Sequence, residues 1–356
     1  MALYAILRAL GVGRGDEVIL PGYTCVMNVN PVKYLGAKPV YVDIEPVTFN
    51  MRIGLLEEKI SRGTKAIIVQ HTYGYPCEMD SIMSIAKKKN IPVVEDCCLA
   101  LGSEYKGKRC STFGLAAYWS FQWNKPFTTG IGGMATTNDR PLGEKIEALR
   151  VESMYEPSKK SALMLGAQRL IHGMLIYPRT TALATSIFRW MTHKDVVIGS
   201  SSRCEFEPRM EEDFFMGMSA GQCRAGLRQM KRIDANLAHR KSMAKTYNLL
   251  FKAAGWKTNL VPEYIDPVLV RYPVRVNNKA AIVAEAPRHG VDVGTWFECP
   301  LHPKETPMSL YDYEVGMCPE AEKACETVIN LPVHQRTTIK TARRAVDFIT
   351  KNCLPG

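Results

Sequence analysis

No stretch of this sequence is apolar for about 18 consecutive residues, which removes the simplest transmembrane helix. No segment joins a charged start to a short apolar core in the manner of a secretion signal, and no tract is of low complexity. The cytoplasm is therefore the expected compartment. The 11 cysteines include no Cys-x-x-Cys pair and no His/Cys group at zinc spacing. They are expected to be reduced, mostly buried thiols, with no metal. Helix-turn-helix spacing and RNA-binding motifs are also missing, so a net charge of +11 does not point to nucleic acid. It favours a smaller anionic partner, such as a nucleotide-linked substrate. What is plentiful is apolar content, 46% of 356 residues, enough for a large core and two domains.

The first 140 residues alternate short runs rich in Val and Ile with helical stretches. Residues 16–21, 39–44, 65–71 and 91–96 read as strands. Residues 79–90 read as a helix, with Met79, Ile82, Met83, Ile85 and Ala86 on one side and Lys87 to Lys89 at the end whose dipole suits cations. Such alternation predicts an α/β fold with a mainly parallel central sheet and helices on both faces. Ligands of these sheets sit beyond the carboxyl ends of the strands, where Asp96 falls.

After a helix at 143–154 the pattern changes. Residues 155–210 read as a helical insertion with two amphipathic segments separated by Pro178. One carries Leu163, Ala167, Leu170, Ile171, Met174 and Leu175, the other Leu183, Ile187, Trp190 and Met191. Arg169, His172, Arg179, Arg189 and Lys194 interrupt them. Packing on the body or on a second subunit is one reading; contact with an acidic membrane or a lipid-linked substrate is the other. A large domain at 1–230 and a smaller α+β domain at 231–356 are expected, the second with a long basic helix at 232–253, a strand at 268–276 and helices at 278–289 and 337–351.

Lys125 carries the chemical argument. It lies 29 positions after Asp96 (125 − 96), in Trp119-Ser120-Phe121-Gln122-Trp123-Asn124-Lys125-Pro126, just before Thr129-Gly130-Ile131-Gly132-Gly133. An amine and a carboxylate at the ends of separate buried strands are what a pyridoxal phosphate (PLP) enzyme needs: one holds the cofactor's aldehyde, the other keeps the pyridine nitrogen protonated. Taken alone, Lys125 is equally a solvated loop lysine and Asp96 a helix cap.

The stretch from Val94 to Asp139 resembles the signature of the DegT/DnrJ/EryC1/StrS family of sugar aminotransferases. The matching residues are Val94-Glu95-Asp96, Ala100-Leu101-Gly102, Tyr105-Lys106-Gly107-Lys108, Ser120-Phe121, Lys125, Gly132-Gly133-Met134 and Thr137-Asn138-Asp139. Weaker likeness extends upstream through residues 10–19 and 36–43. Downstream it returns at 222–230, Pro300-Leu301-His302 and Ile329-Asn330-Leu331-Pro332. The resemblance implies the aspartate-aminotransferase-like PLP fold (fold type I) and a homodimer with a shared active site. It implies transfer of an amino group, with glutamate as donor, to a keto sugar linked to a nucleotide. In that reading Lys125 is catalytic, and Asp96, Ser120, Gln122 and Cys25 meet the cofactor. His302 and Tyr23 lie on the substrate side, although His302 is equally a capped or core histidine.

Departures from the family pattern matter as well. Cys25 follows Thr24 where the family has a ring-stacking aromatic, unless Tyr23 takes over, and Leu99 stands where it has Gln or His. Phe215 and Gly217 occupy its Asn and Arg positions, and the asparagine's contact to the neighbouring subunit's phosphate is lost or replaced. The family's Ser-Gly-Thr phosphate loop would come before Met1-Ala2-Leu3; either the sequence starts inside a longer chain, or the phosphate is expected to be held by other groups with less enclosure. Two other classes stay open: a non-catalytic or regulatory relative, and a PLP-dependent sugar dehydratase, against which Lys125 counts because those relatives carry histidine there.

Overall fold

Continuous apolar runs become strands buried on both faces. Val18, Ile19 and Leu20 lie within β1 (Glu17–Pro21), and Ala66 to Val69 within β4 (Thr64–Gln70); all are closed to solvent. The computed structural model describes residues 1–175, 206–211, 213–258 and 261–354. β2 (Thr24–Cys25) is a two-residue strand outside the main sheet; β3 is Lys38–Val42 and β5 is Val93–Asp96. β6 (Glu104–Tyr105), β7 (Lys108–Arg109) and β10 (Ile265–Asp266) form a small separate sheet. With β8 (Ala116–Ser120) and β9 (Gly133–Thr137) the main sheet has the order β3-β1-β4-β5-β8-β9. Only the edge strand β9 runs antiparallel to its neighbour.

Helices cover both faces, as the alternation predicts. α1 (Ala2–Ala9) and α2 (Val26–Tyr34) pack on one face through Leu3, Ile6, Leu7, Val26, Val29 and Val32. α3 (Ile53–Lys59) and α4 (Met79–Lys89) cover the other through Leu56, Met79, Ile82 and Ala86. Asn90 closes α4 in the left-handed conformation. α5 spans Arg140–Ser153, with Asp139 accepting from the Leu142 N–H as its cap, and α6 spans Lys159–Leu175.

In α6 the buried residues are Leu165 and Gln168, whereas Leu163, Leu170 and Ile171 are exposed. Within one chain the side with Leu163 and Leu170 therefore faces away from the body. Pro178, Arg179, Leu183, Ile187, Arg189, Trp190, Met191 and Lys194 lie outside the described residues, as do the side chains of Met174 and Leu175. Among the described residues no helix is long and apolar enough to cross a membrane.

The C-terminal part contains α7 (Ala220–Met230), α8 (Ile233–Ala253), α9 (Lys279–Glu285), α10 (Pro319–Thr327) and α11 (Ile339–Asn352). β11 (Arg271–Arg275) pairs antiparallel with β13 (Val328–Pro332). β12 (Leu301–His302) instead runs parallel to β2, back on the large sheet's side of the molecule. Met243, Tyr247, Phe251, Val274, Leu331 and Ile349 belong to the same buried cluster as α1 and α2, so the core runs without a break into the C-terminal part.

Two consecutive carboxylates end β5 on opposite faces. Glu95 is fully buried: Oε2 accepts from His71 Nε2 (3.1 Å) and Ser111 N (2.8 Å), and Oε1 from Phe113 N (2.8 Å) and Gly114 N (2.7 Å). His71 Nδ1 accepts from the Cys77 N–H, which fixes the tautomer with its proton on Nε2. The Cys97 thiol joins these two within 4.8 Å, as metal ligands can. Here both ring nitrogens and both carboxylate oxygens are already engaged, so the cluster satisfies itself. It ties down residues 111–114, the turn that delivers β8.

Burial alone would raise the Glu95 carboxyl, but the His71 N–H and the backbone donors outweigh it and hold it below its ordinary value near 4.5. A depressed folded value stabilises above the unfolded pKa and is lost as pH falls through the folded one. Glu95→Gln is accordingly expected to cost about 3 kcal/mol at neutral pH, since it leaves buried donors facing an amide. Urea unfolding measures this, and the gap to wild type should narrow as pH drops below about 4.5.

Candidate active site

Strand register gathers the site. Gln70 pairs with Asp96, and Asp96 with Tyr118, at the carboxyl ends of β4, β5 and β8. All three side chains share one sheet face, and Ser120 lies two residues beyond Tyr118 on that same face. This is the face covered by α1 and α2.

Asp96 is 3% exposed and held from two directions. Oδ2 accepts from Asn28 Nδ2 at 2.6 Å and Oδ1 from the Cys98 N–H at 2.9 Å. Asn28 is itself set by Thr24 Oγ1 (2.9 Å) and Gln70 Oε1 (3.2 Å), and Thr24 donates to Gln70 Oε1 at 2.6 Å. Gln70 Nε2 then bonds the Tyr23 carbonyl (2.9 Å) and Thr72 Oγ1 (3.0 Å). The chain of amides and hydroxyls thus orients one carboxylate. Asn28 and Gln70 escape a sequence reading because their role is set by strand and helix neighbours 68 and 26 positions from Asp96 (96 − 28 and 96 − 70). The one local signal is the short separation of Thr24, on β2, from Asn28, in the first turn of α2.

Lys125 sits in the loop between β8 and β9, its Nζ 5.4 Å from the centre of the Trp296 ring, a cation–π contact. The loop is pinned by Phe121 N to Gly132 O (2.8 Å), Thr129 N to Phe121 O (3.0 Å), Gln222 Nε2 to Ile131 O (2.9 Å) and Asn236 Nδ2 to Pro126 O (2.7 Å). Gly130 (φ 91°) and Gly132 (φ 125°) take backbone angles that favour glycine. Gln122 bridges to Gly130 within this loop. Burial, then the Asp96 charge, pushes the Cys98 thiol well up, while the nearby Lys125 pulls the other way; Cys98 therefore lies close to both and stays a thiol.

Cys25 and His302, far apart in sequence, are brought side by side by the pairing of β2 with β12. Burial lowers the His302 pKa to about 4, so the imidazole is neutral at working pH. Tyr23 is corrected by the structure. It is fully buried among Phe49, Tyr73 and Phe297, and its hydroxyl is spent on Tyr73 (2.8 Å) and the Phe297 N–H (3.2 Å), which leaves nothing for a substrate. Leu99 is buried in the core, so Asn28 and the Cys98 N–H are the groups that hold Asp96. Phe215 packs against Tyr4 and Phe214.

A family model for the DegT/DnrJ/EryC1/StrS aminotransferases matches residues 1–172 and 208–350. The chain belongs to that family. Its members use PLP. This aminotransferase-family chain is 31% identical over 334 residues to the UDP-2-acetamido-2-deoxy-3-oxo-D-glucuronate aminotransferase of Pseudomonas aeruginosa, covering 94% of this chain and 78% of that enzyme. It is 48% identical over 145 residues to the GDP-perosamine synthase of Escherichia coli O157:H7, an alignment spanning 41% of this chain and 40% of that one. Among solved structures, the aminotransferase TlmJ of Streptoalloteichus hindustanus is similar with a TM-score of 0.75 at 25% identity, covering 98% of this chain and 82% of its own.

The residues present fit PLP. An anchored carboxylate lies at the strand ends with the buried Tyr118 hydroxyl beside it, and the amine of Lys125 comes from the adjoining glycine-rich loop, near enough for its charge and that of Asp96 both to act on Cys98.

Asn28→Ala is expected to weaken PLP binding about tenfold, the loss of roughly one hydrogen bond to a charged group; a cofactor titration followed by absorbance measures it. His302 adds a pH effect. Its folded pKa is depressed from 6.5 to about 4, so the unfolded chain binds the proton first and stability falls as pH drops from 6.5 to 4. His302→Asn should flatten that slope in thermal melts.

Proposed function

We propose that the chain is a PLP-dependent transaminase that converts a keto sugar linked to a nucleotide into an amino sugar, with glutamate as donor. The observation that carries this reading is Asp96, locked by Asn28 and the Cys98 N–H on the same sheet face as Ser120, next to a glycine-lined loop bearing Lys125. The substrate class is that named for the relatives, and the charge of +11 suits a diphosphate.

PLP supplies a ring that accepts electrons from the bond being broken. Asp96 would keep the ring nitrogen protonated, a carboxylate fixed before the cofactor arrives. Ser120 would donate to the phosphate, and Cys25 and Gln122 would border the ring. Lys125 would hold the aldehyde carbon through Nζ. A free Nζ would serve as the base that takes a proton from the donor's α-carbon and as the acid that returns it. Neutral His302, whose Nδ1 accepts from the Glu298 N–H (3.5 Å), would donate one hydrogen bond through Nε2 on the sugar side.

The chain is proposed to divide near residue 230 and to act as a homodimer. Leu163 and Leu170 on α6, with Leu227 and Met230 on the adjoining α7, are exposed apolar side chains that a second copy would cover.

Purified protein should turn yellow with PLP and lose that visible band on addition of glutamate. Lys125→Ala should abolish both responses and leave the fold intact by circular dichroism. A wild-type protein that stays colourless at saturating cofactor would sink the reading.

A further inference from the structure

The amine of Lys125 ends a flexible four-carbon stem, and something must hold it if it is to react from one place. Its backbone is set, since the Lys125 N–H donates to Gln122 O at 3.0 Å, but that constraint stops at the Cα. Among the described residues Nζ forms no salt bridge and no hydrogen bond. What it meets is the face of the Trp296 ring, 5.4 Å away at the centre.

The segment that carries Trp296 is fixed peptide by peptide. Every backbone carbonyl from Gly294 to Phe297 accepts a hydrogen bond. Gly294 exchanges backbone bonds with Asn330 (2.7 and 3.0 Å), an approach only glycine allows, because a Cβ there would run into the Asn330 side chain. The Trp296 carbonyl accepts from Asn330 Nδ2 at 2.6 Å and from the Tyr73 hydroxyl. The Tyr23 hydroxyl accepts from the Phe297 N–H (3.2 Å) and bonds Tyr73 (2.8 Å), and both tyrosines are closed to solvent.

Lys279 completes the clamp. Its Nζ donates to Thr295 O (3.3 Å) and Phe297 O (3.1 Å), the carbonyls on either side of Trp296, and to Cys325 O (2.7 Å). An ammonium has three donors, and here each has a carbonyl. The position breaks a local rule, since Lys279 is the first residue of α9, where the helix dipole disfavours a cation. Burial also draws its pKa below the ordinary lysine value, against the opposing influence of Cys325, Glu298 and Cys299. Local rules are broken mostly where a site requires it.

We propose that Trp296 and Lys279 are the positioning residues of the reacting amine: Lys279 locks the backbone on both sides of Trp296, and the indole so held fixes Lys125 Nζ before the cofactor arrives. The inference rests on the transaminase reading of Lys125. It makes both cofactor-facing groups preset, the carboxylate by Asn28 and the Cys98 N–H, the amine by an aromatic face from the C-terminal part.

Acetylation of the cofactor-free full chain, read lysine by lysine from peptide masses with exposed Lys65 as internal standard, tests this without PLP. Trp296→Leu is expected to raise acetylation of Lys125 relative to Lys65 about fivefold, the loss of one cation–π contact. Trp296→Phe should raise it only about twofold, because a phenyl ring is a weaker partner but keeps an aromatic face. Lys279→Met should raise it about threefold alone and add nothing to Trp296→Leu, since it acts through the ring. With PLP added, the same variants should slow the appearance of the visible band by similar factors, on the order of two- to fivefold, and reach the same final amplitude at saturating cofactor. Unchanged acetylation of Lys125 in Trp296→Leu overturns the role of the ring, and effects that multiply in the double variant overturn the role of Lys279. If Trp296→Leu does not fold, Lys279→Met, which leaves the indole in place, decides: unchanged acetylation overturns. Variants that behave as expected without cofactor, in a protein that never develops the visible band with PLP, remove the transaminase reading and leave the positioning of the amine.

Discussion

The structure turns on the alternation of a single strand. At the end of β5 the period of two sends Glu95 to one face and Asp96 to the other, so neighbouring carboxylates serve different ends. Glu95 is saturated by His71 and three backbone N–H groups, and through them it fixes the turn that starts β8. Asp96 keeps a carboxylate available on the covered face because Asn28, Thr24 and Gln70 orient it without enclosing it on every side. A one-residue slip of β5 would exchange the two and lose both functions.

Much of this was legible beforehand because buried parallel strands announce themselves as apolar runs. The runs at 16–21, 39–44, 65–71 and 91–96 became β1, β3, β4 and β5 within two or three residues, and the 79–90 helix ends at Asn90 with its lysines. Asp96, Ser120 and Lys125 could be named because their spacing follows a family signature. Asn28, Gln70 and Trp296 could not, since each acts through partners brought near only by the sheet and by the C-terminal part. Tyr23 misled for a physical reason: an aromatic next to a site is as apt to be drawn into an aromatic cluster as to line a pocket. α6 was legible as a helix, but apolar residues on both its sides left open which side meets the body.

The site joins two kinds of order. The carboxylate side is assembled within the large sheet, from strand ends in register. The amine side depends on loops, with Lys125 held in a glycine-rich segment tied to α7 and α8 by Gln222 and Asn236. Such loops are where sites usually vary while the scaffold stays constant. Trp296, whose ring meets Lys125 Nζ, comes from the C-terminal part, so that part and the sheet's loops together position the amine.

The parallel pairing of β2 with β12 has a mechanical consequence. Leu301 is bonded beside Thr24 and His302 beside Cys25, and Thr24 is the first link in the chain that ends on Asp96. Any displacement of the 296–303 segment must therefore pull on β2 or break from it. A pull on that segment is carried through the side chains of Thr24, Gln70 and Asn28 to the Asp96 carboxylate, so strand pairing and carboxylate move as one linkage.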